Sequence, residues 1–311
     1  MTRTSYKNYL SVIWQMLNKK DFVTVVLKDN TKHTWRHIFV YAYIKDINME
    51  IEHDYKIMKI FDFWQNSYNI GTDQKGDFLE FDYKDCYCKF YGPESKIGIL
   101  SEVFSEDYAF LQPEASTVID IGAHIGDSAI YFAFNNAKKI IALEPYPIFY
   151  ECALKNIDIN NLKDKIILLN AGYGKDAEIA VDPKKIVGGN MISPSSGKEE
   201  LGPKKIKLFS LKTLVNNYNL NNGSLLLKMD CEGCEYNLLN ENNEILRQFE
   251  RIQIEFHYGY KNLESKLREA GFFVKHTNPI ILENDEVSLR KMALANNDCT
   301  NGFIYAERHT I

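Results

Sequence analysis

Several things are scarce in this 311-residue chain. No apolar run approaches the roughly 18 residues needed to cross a bilayer. The longest greasy stretch, residues 117–134, is broken by Asp120, His124 and Asp127, so no membrane span is expected. The opening Met-Thr-Arg-Thr-Ser-Tyr-Lys has no apolar core behind it, and no secretory leader is expected. Six cysteines are too few for a disulfide framework in a chain of this length, which makes a reducing, cytoplasmic setting the expectation. Positive charge is not in excess either. Lys+Arg number 37 against Asp+Glu 42, a net charge of -5, which argues against a protein whose main work is gripping nucleic-acid phosphates. Repeats and low-complexity segments are also lacking. What is present is a globular composition, 45% hydrophobic and 25% charged, which excludes a disordered chain or a collagen-like fibre. The length suits one large domain or two.

The sequence changes character at residues 68–77, a polar, glycine-punctuated stretch that reads as a linker. Before it, residues 6–17 have helical spacing, and the β-branched or aromatic runs 22–27 and 38–44 flank a turn signal at Lys28-Asp29-Asn30. Residues 1–75 therefore read as a small α+β accessory region and residues 76–311 as the main domain. In the latter, a strand pair at 78–81 and 86–91 and a helix at 97–111 precede a regular alternation. Strands are expected at 117–121, 139–143, 165–169, 224–229 and 251–256, with helices at 128–135, 147–157, 236–246 and 263–270. Short apolar strands alternating with helices imply an α/β fold with a mostly parallel sheet covered on both faces. The last two strands, 272–275 and 302–307, have no helix between them and should pair antiparallel at the C-terminal edge. Ligands of such sheets lie outside the carboxyl ends of the strands.

The first of those ends reads Asp120-Ile121-Gly122-Ala123-His124-Ile125-Gly126-Asp127. A dinucleotide fingerprint starting at Gly122 needs glycine at positions 124 and 127. His124 there would crowd a pyrophosphate and Asp127 would repel it. The pattern suits a ligand without phosphates, and S-adenosylmethionine, a cation with an amino-acid end, is one. Asp120 offers a carboxylate to its ammonium, directly or through water, and Gly122 and Gly126 let the backbone come close. At the end of the next strand Glu144, 24 residues after Asp120 and followed by Pro145, can accept both ribose hydroxyls. Asn170 and Ala171, after the third strand, are placed to meet the adenine edge. The competing reading is that the glycines only permit tight helix–sheet packing.

The later strands end in Lys228-Met229-Asp230-Cys231-Glu232-Gly233-Cys234-Glu235 and Ile254-Glu255-Phe256-His257. While the chain stays extended, Asp230 and Glu232 share a face, as do Glu255 and His257. Carboxylates and an imidazole then meet where a methyl acceptor must lie, an arrangement suited to proton transfer. Duller roles stand beside this: Asp230 or Glu232 as a helix cap, His257 as a packed strand-end residue, Glu255 as a partner of Lys228. Cys231 and Cys234 read as small packing thiols, because no second C-x-x-C or C-x-x-H follows. The spacing of these acids is not diagnostic of a metal and none is assigned. The long polar stretch 188–203 is expected to be a substrate lid or an insertion without structure.

Read together, Val118-Ile-Asp-Ile-Gly-Ala-His-Ile-Gly126, Ala142-Leu-Glu-Pro-Tyr-Pro147, Lys228-Met-Asp-Cys-Glu-Gly-Cys-Glu235 and Ile254-Glu-Phe-His257 resemble the FkbM family of S-adenosylmethionine-dependent methyltransferases. The resemblance spans residues 91–259, about half the chain. It implies a class I, Rossmann-like methyltransferase sheet and O-methylation of a hydroxyl on a small molecule, sugar or lipid. It also implies cofactor contacts from Asp120, Gly122, His124, Gly126, Glu144, Pro145, Asn170 and Ala171, and a reacting centre lined by Asp230, Glu232 and His257. The chain departs from the family pattern in three places. His124 replaces an asparagine, Cys231 and Cys234 replace larger apolar residues, and Lys212 stands where an acid is usual. Two rival readings remain: a non-catalytic binding module on the same fold, and a dinucleotide-dependent oxidoreductase. The oligomeric state is not legible from the sequence.

Overall fold

A computed structural model describes residues 7–18, 20, 22–26, 30, 32–36, 68–92, 99, 103–104, 108–181, 204–220, 223–277, 280–281 and 300–308. The chain forms two compact units, Met1–Asp107 and Tyr108–Ile311.

In the first unit, α1 (Tyr9–Leu17) is followed by a hairpin of β1 (Phe22–Val26) and β2 (Lys32–Arg36). Asn8 ties the start of α1 to this hairpin. Its side-chain amide donates to the Thr24 carbonyl (2.9 Å) and its side-chain oxygen accepts from the Val26 N–H (2.8 Å). A separate antiparallel meander follows: β3 (Tyr68–Asp73), β4 (Gly76–Tyr83) and β5 (Cys86–Tyr91). The stretch that reads as a linker is thus a strand and a turn. Tyr68 is buried, Asp73 accepts the Lys75 N–H (2.8 Å), and Gly76 takes a left-handed φ of 118° that closes the hairpin. The strand pair at 78–91 falls in the first unit, while the runs expected at 38–44 and at 188–203 lie outside the described residues.

The second unit runs β6 (Thr117–Ile121), α2 (Asp127–Phe134), β7 (Lys139–Leu143), α3 (Pro147–Ile159), β8 (Ile166–Leu169), β9 (Ala171–Tyr173), β10 (Ala177–Val181), β11 (Lys204–Phe209) and α4 (Leu211–Asn217). It continues with β12 (Leu225–Met229), α5 (Asn243–Leu246), β13 (Arg251–Phe256), α6 (Lys261–Glu269), β14 (Phe273–His276), β15 (Ile280–Ile281) and β16 (Thr300–Glu307). The main sheet is ordered β14-β16-β13-β12-β6-β7-β8, with β15 pairing β16. β13, β12, β6, β7 and β8 run parallel to one another, and β16 runs antiparallel between β13 and β14. This is the mostly parallel α/β sheet with antiparallel strands at the C-terminal edge that the sequence pattern implies. β9, β10 and β11 form a small second sheet that the apolar pattern does not announce. Of the helix expected at 97–111, the described residues Ile99, Val103 and Phe104 are π-helical and Ala109–Leu111 form a 3-10 turn. The helix expected at 236–246 is a 3-10 stretch, Cys234–Asn240, followed by α5. The break falls where the Asn242 side chain accepts the Glu244 N–H (2.9 Å) and starts a new helix.

The central strands are buried on both faces, as parallel strands under two helical layers must be. Every residue of β12 is buried, as are the last four of β6 and of β7. A continuous apolar core joins Ile119, Ile121, Leu143, Leu227 and Met229 to Phe249, Ile254 and Leu267. From β6 the chain moves outward through β7 and β8, then returns to lay β12 on the other side of β6. The strand order therefore reverses between β6 and β12, the place where sheets of this kind open a crevice at their carboxyl ends.

Candidate active site

The turn after β6 is built by left-handed residues: Gly122 (φ 80°), His124 (φ 48°) and Gly126 (φ 86°). The N–H groups of Gly122 and Ala123 donate to the Leu143 carbonyl at 3.1 and 3.0 Å, folding the turn over the end of β7. The close approach that requires glycine at 122 is internal. A Cβ there would stand 1.7 Å from the Asp230 carbonyl oxygen. Gly122 thus lets the loop after β12 pass against the loop after β6. At Gly126 the nearest atom to a built Cβ is Ala153 Cβ at 3.2 Å, so this glycine brings α2 against α3.

Asp120 is fully buried, and among the described residues its Oδ1 has an ion-pair partner but no hydrogen bond. It accepts from Ser128 Oγ (2.7 Å) and faces Lys228 Nζ (3.2 Å). Lys228 is buried too. Its ammonium also donates to the Gly122 carbonyl (2.7 Å) and lies 4.0 Å from Asp230. Burial alone would pull this lysine down, but Asp120, Asp230 and Asp127 outweigh it and hold the ammonium charged.

Glu144 ends β7 with 4% exposure. One carboxylate oxygen accepts the His124 N–H (2.9 Å) and the other the Tyr146 N–H (2.8 Å). Burial pushes this acid up to about 8, against those two hydrogen bonds. The Asn170 amide donates to the Glu144 and Pro145 carbonyls (3.0 and 3.1 Å), and Ala171 opens β9 beside it, buried. His124 packs its ring 4.3 Å from that of Phe149. The predicted cofactor residues from both loops are therefore gathered at one edge of the sheet. Of their side chains, Asp120 and Asn170 are spent on the fold itself.

This donor set suits a cationic nucleoside. Each Glu144 oxygen takes one N–H and keeps a lone pair, so the carboxylate can still accept from two sugar hydroxyls. The one buried lysine here is already committed to carboxylates and a carbonyl, which leaves it no role in holding phosphate.

The loops after β12 and β13 converge on His257. Its Nδ1 lies 3.0 Å from Glu235 Oε1, and its backbone N–H donates to the same oxygen (3.2 Å). Glu235 is fully buried, and its other oxygen accepts the Gly233 N–H (2.7 Å). The second ring nitrogen, Nε2, faces Glu232 at 3.4 Å and Asp230 at 3.9 Å. Burial would favour the neutral ring, yet Glu235, Glu232 and Glu255 together raise His257 well above its ordinary range. The Tyr236 hydroxyl stitches the region together by donating to the Gly259 carbonyl (2.7 Å) and accepting the Tyr258 N–H (2.8 Å).

Asp230, Glu232 and His257 are thus brought together, and Glu235 joins them. The sequence signal for Glu235 was the last acid of the D-x-E-G-x-E block, whose turn back toward β13 the extended-chain reading did not follow. Glu232 (φ 57°) and Gly233 (φ 118°) reverse the chain there. Cys231 and Cys234 are not packing thiols. They form a disulfide across this reversal, with Cα atoms 5.4 Å apart, a separation the tight turn itself supplies.

Residues 120–274, about half the chain, match the methyltransferase FkbM domain. No curated protein matches. Among solved structures, the chain is similar to M. jannaschii TYW2 in complex with AdoMet, at 16% identity over 74% of this chain and 86% of that one, with a TM-score of 0.38. An rRNA methylase from Streptococcus thermophilus matches at 12% identity over 67% and 98%, TM-score 0.39. M. capricolum TrmK in complex with S-adenosyl-homocysteine matches at 17% identity over 63% of each chain, TM-score 0.35.

Proposed function

We propose that this chain, an S-adenosylmethionine-dependent methyltransferase of the FkbM family, methylates a hydroxyl on a small molecule, sugar or lipid. The observation that carries this reading is the cluster at the ends of β12 and β13. Two partly exposed carboxylates, Asp230 and Glu232, stand around an imidazole that a buried Glu235 holds in place. The cofactor supplies a methyl group activated on a sulfonium. Glu144 would accept hydrogen bonds from the sugar hydroxyls, and the turn 122–126 with His124 would line the nucleoside. Pro145, Asn170 and Ala171 would frame its base, with Asn170 tied to the Glu144 and Pro145 carbonyls by hydrogen bonds. With the donor bound, an acceptor oxygen would take the methyl group as the carbon–sulfur bond breaks and the neutral thioether leaves, and Asp230 or Glu232 would take the hydroxyl proton. His257, charged by its acidic neighbours, orients those carboxylates. Holding oxygen and methyl in line can contribute about 7–11 kcal/mol of the rate enhancement, and proton removal roughly 10²–10⁴-fold more.

An acceptor rich in phosphate is disfavoured by the same charges. Asp230, Glu232, Glu235 and Glu255 surround a single imidazole, and the chain as a whole carries -5. The test is transfer of labelled methyl from S-adenosylmethionine to panels of sugars, lipids and small hydroxylated molecules, with tRNA and rRNA as a separate arm. Incorporation into a hydroxyl compound is expected, lowered about 10²–10⁴-fold in Asp230→Asn with S-adenosylhomocysteine affinity unchanged. Incorporation into RNA alone would overturn the assignment of the acceptor.

A further inference from the structure

The centre just described holds a second arrangement. Asp230 from the end of β12, and Glu255 and His257 from β13 and the residues after it, each offer one ligand atom, and these atoms all lie within 4.8 Å of one another. A divalent ion bound at about 2.0–2.2 Å to oxygen and nitrogen separates adjacent ligand atoms by roughly 3 Å and opposite ones by roughly 4 Å. Side-chain adjustments of an ångström or less would therefore close the set around an ion.

Two further observations point to a ligand here. The first is the orientation of the imidazole. Metal-binding histidines characteristically donate their other ring nitrogen to a carboxylate, which fixes ring and tautomer. Glu235, fully buried, takes that position on Nδ1 at 3.0 Å and leaves Nε2 turned to the acids. The second is the wall of the cluster: Tyr108, 7% exposed, has its ring centre 5.7 Å from Lys228 Nζ, which itself stands 4.0 Å from Asp230.

We propose that Asp230, Glu255 and His257 bind a divalent cation of the manganese or magnesium class, with Glu235 as the positioning residue behind His257 and the acceptor hydroxyl as a further ligand. Carboxylate and neutral imidazole ligands suit such ions, and binding releases the proton that the acids hold on Nε2 in the ion-free chain. An ion there acts as a Lewis acid that makes the hydroxyl easier to deprotonate and fixes its oxygen in place. The position of the acceptor rests on the methyl-transfer reading above, whereas the ion site itself does not.

The test uses the full chain, stripped with EDTA and titrated with Mn2+ alone, free Mn2+ being followed by electron paramagnetic resonance. One site per chain is expected. Glu255→Gln and His257→Ala should each weaken it at least about tenfold, and Glu235→Gln about 10–100-fold, as loss of an orienting carboxylate does. S-adenosylhomocysteine affinity is measured on the same samples and should stay within about twofold in Glu255→Gln, which also shows that the variant is folded. Wild-type chain that binds the nucleoside but no Mn2+, or Mn2+ binding indifferent to Glu255→Gln, overturns the ion site and leaves methyl transfer standing. Failure to bind the nucleoside overturns the methyl-transfer reading instead.

Discussion

Replacing Gly122 by alanine tests the internal role assigned to that residue. The site sits at φ 80°, where an L-residue costs roughly 1–2 kcal/mol. The added Cβ would meet the Asp230 carbonyl oxygen at 1.7 Å. Relief demands a shift of about 1.5 Å by one backbone segment, since ordinary carbon–oxygen contacts begin beyond 3 Å. That shift breaks or strains the Asp230 N–H bond to the Ile121 carbonyl (3.1 Å) and the Lys228 bond to the Gly122 carbonyl (2.7 Å). A neutral bond contributes about 0.5–1.5 kcal/mol and a charged one about 1.5–3, so the total is about 3–6 kcal/mol. In a unit the size of Tyr108–Ile311 each kcal/mol moves the melting temperature by about 2–4 °C, which predicts a fall of about 6–24 °C. Gly126→Ala is the control. Its φ of 86° carries the same conformational cost, but its Cβ meets only Ala153 Cβ, at 3.2 Å, so about 2–8 °C is expected. Calorimetry on the two variants decides the matter. A Gly122→Ala protein that melts within about 2 °C of the parent, or a Gly126→Ala protein that melts lower than Gly122→Ala, refutes the claim that Gly122 exists to let the β12 loop pass.

Three further outcomes follow from the charges and the disulfide. Glu144 is raised from 4.5 to about 8, so the ligand-free folded chain keeps a proton that the unfolded chain releases, and stability must fall as pH climbs through that interval. Urea unfolding at pH 5, 6.5 and 8 should show a shallower decline in Glu144→Gln, and an identical slope would refute the burial of that acid. Lys228→Met strands the fully buried Asp120 carboxylate and should cost about 3–5 kcal/mol by chemical denaturation, whereas Lys228→Met combined with Asp120→Asn should recover part of it. Denaturing alkylation of the purified chain before reduction should label at most four of the six cysteines, and all six afterwards, by intact mass. Six labels before reduction would show that Cys231 and Cys234 are thiols.

Where burial was two-sided, the fold could be read closely. β6, β7 and β12 are mostly apolar because parallel strands have no wet face, and the glycines and most of the acids stand at their ends. Elements whose residues face partly to solvent gave no such signal. β11 reads Lys-Lys-Ile-Lys-Leu-Phe, and its alternation is carried by a partner sheet that lies beyond local pattern. The stretch 68–77 was misread because its polar residues and glycines are also what a hairpin needs. One alternating strand, with Tyr68 buried and Glu80 hydrogen-bonded to Asn69 across the pair (2.8 Å), makes it structure. At the site, residue types were legible and their division of labour was not. Asp120, inside the end of β6, is bound by Ser128 and Lys228, while Glu144, just past the end of β7, accepts from two backbone N–H groups.

That division has a physical cause in Lys228. On a central strand buried on both faces, a lysine can remain charged only if fixed acceptors surround it. Asp120, Asp230 and the Gly122 carbonyl are those acceptors, drawn from the loops after both β6 and β12. Asp120 is consumed in holding the ammonium. Asp230 meets it only at 4.0 Å, with its side chain 31% exposed, and so keeps a face for chemistry. The ammonium therefore couples the turn after β6 to the loop after β12. Any change in the turn that moves the Gly122 carbonyl moves the charge beneath Asp230, and the two halves of the site are set by one buried cation at the point where the strand order reverses.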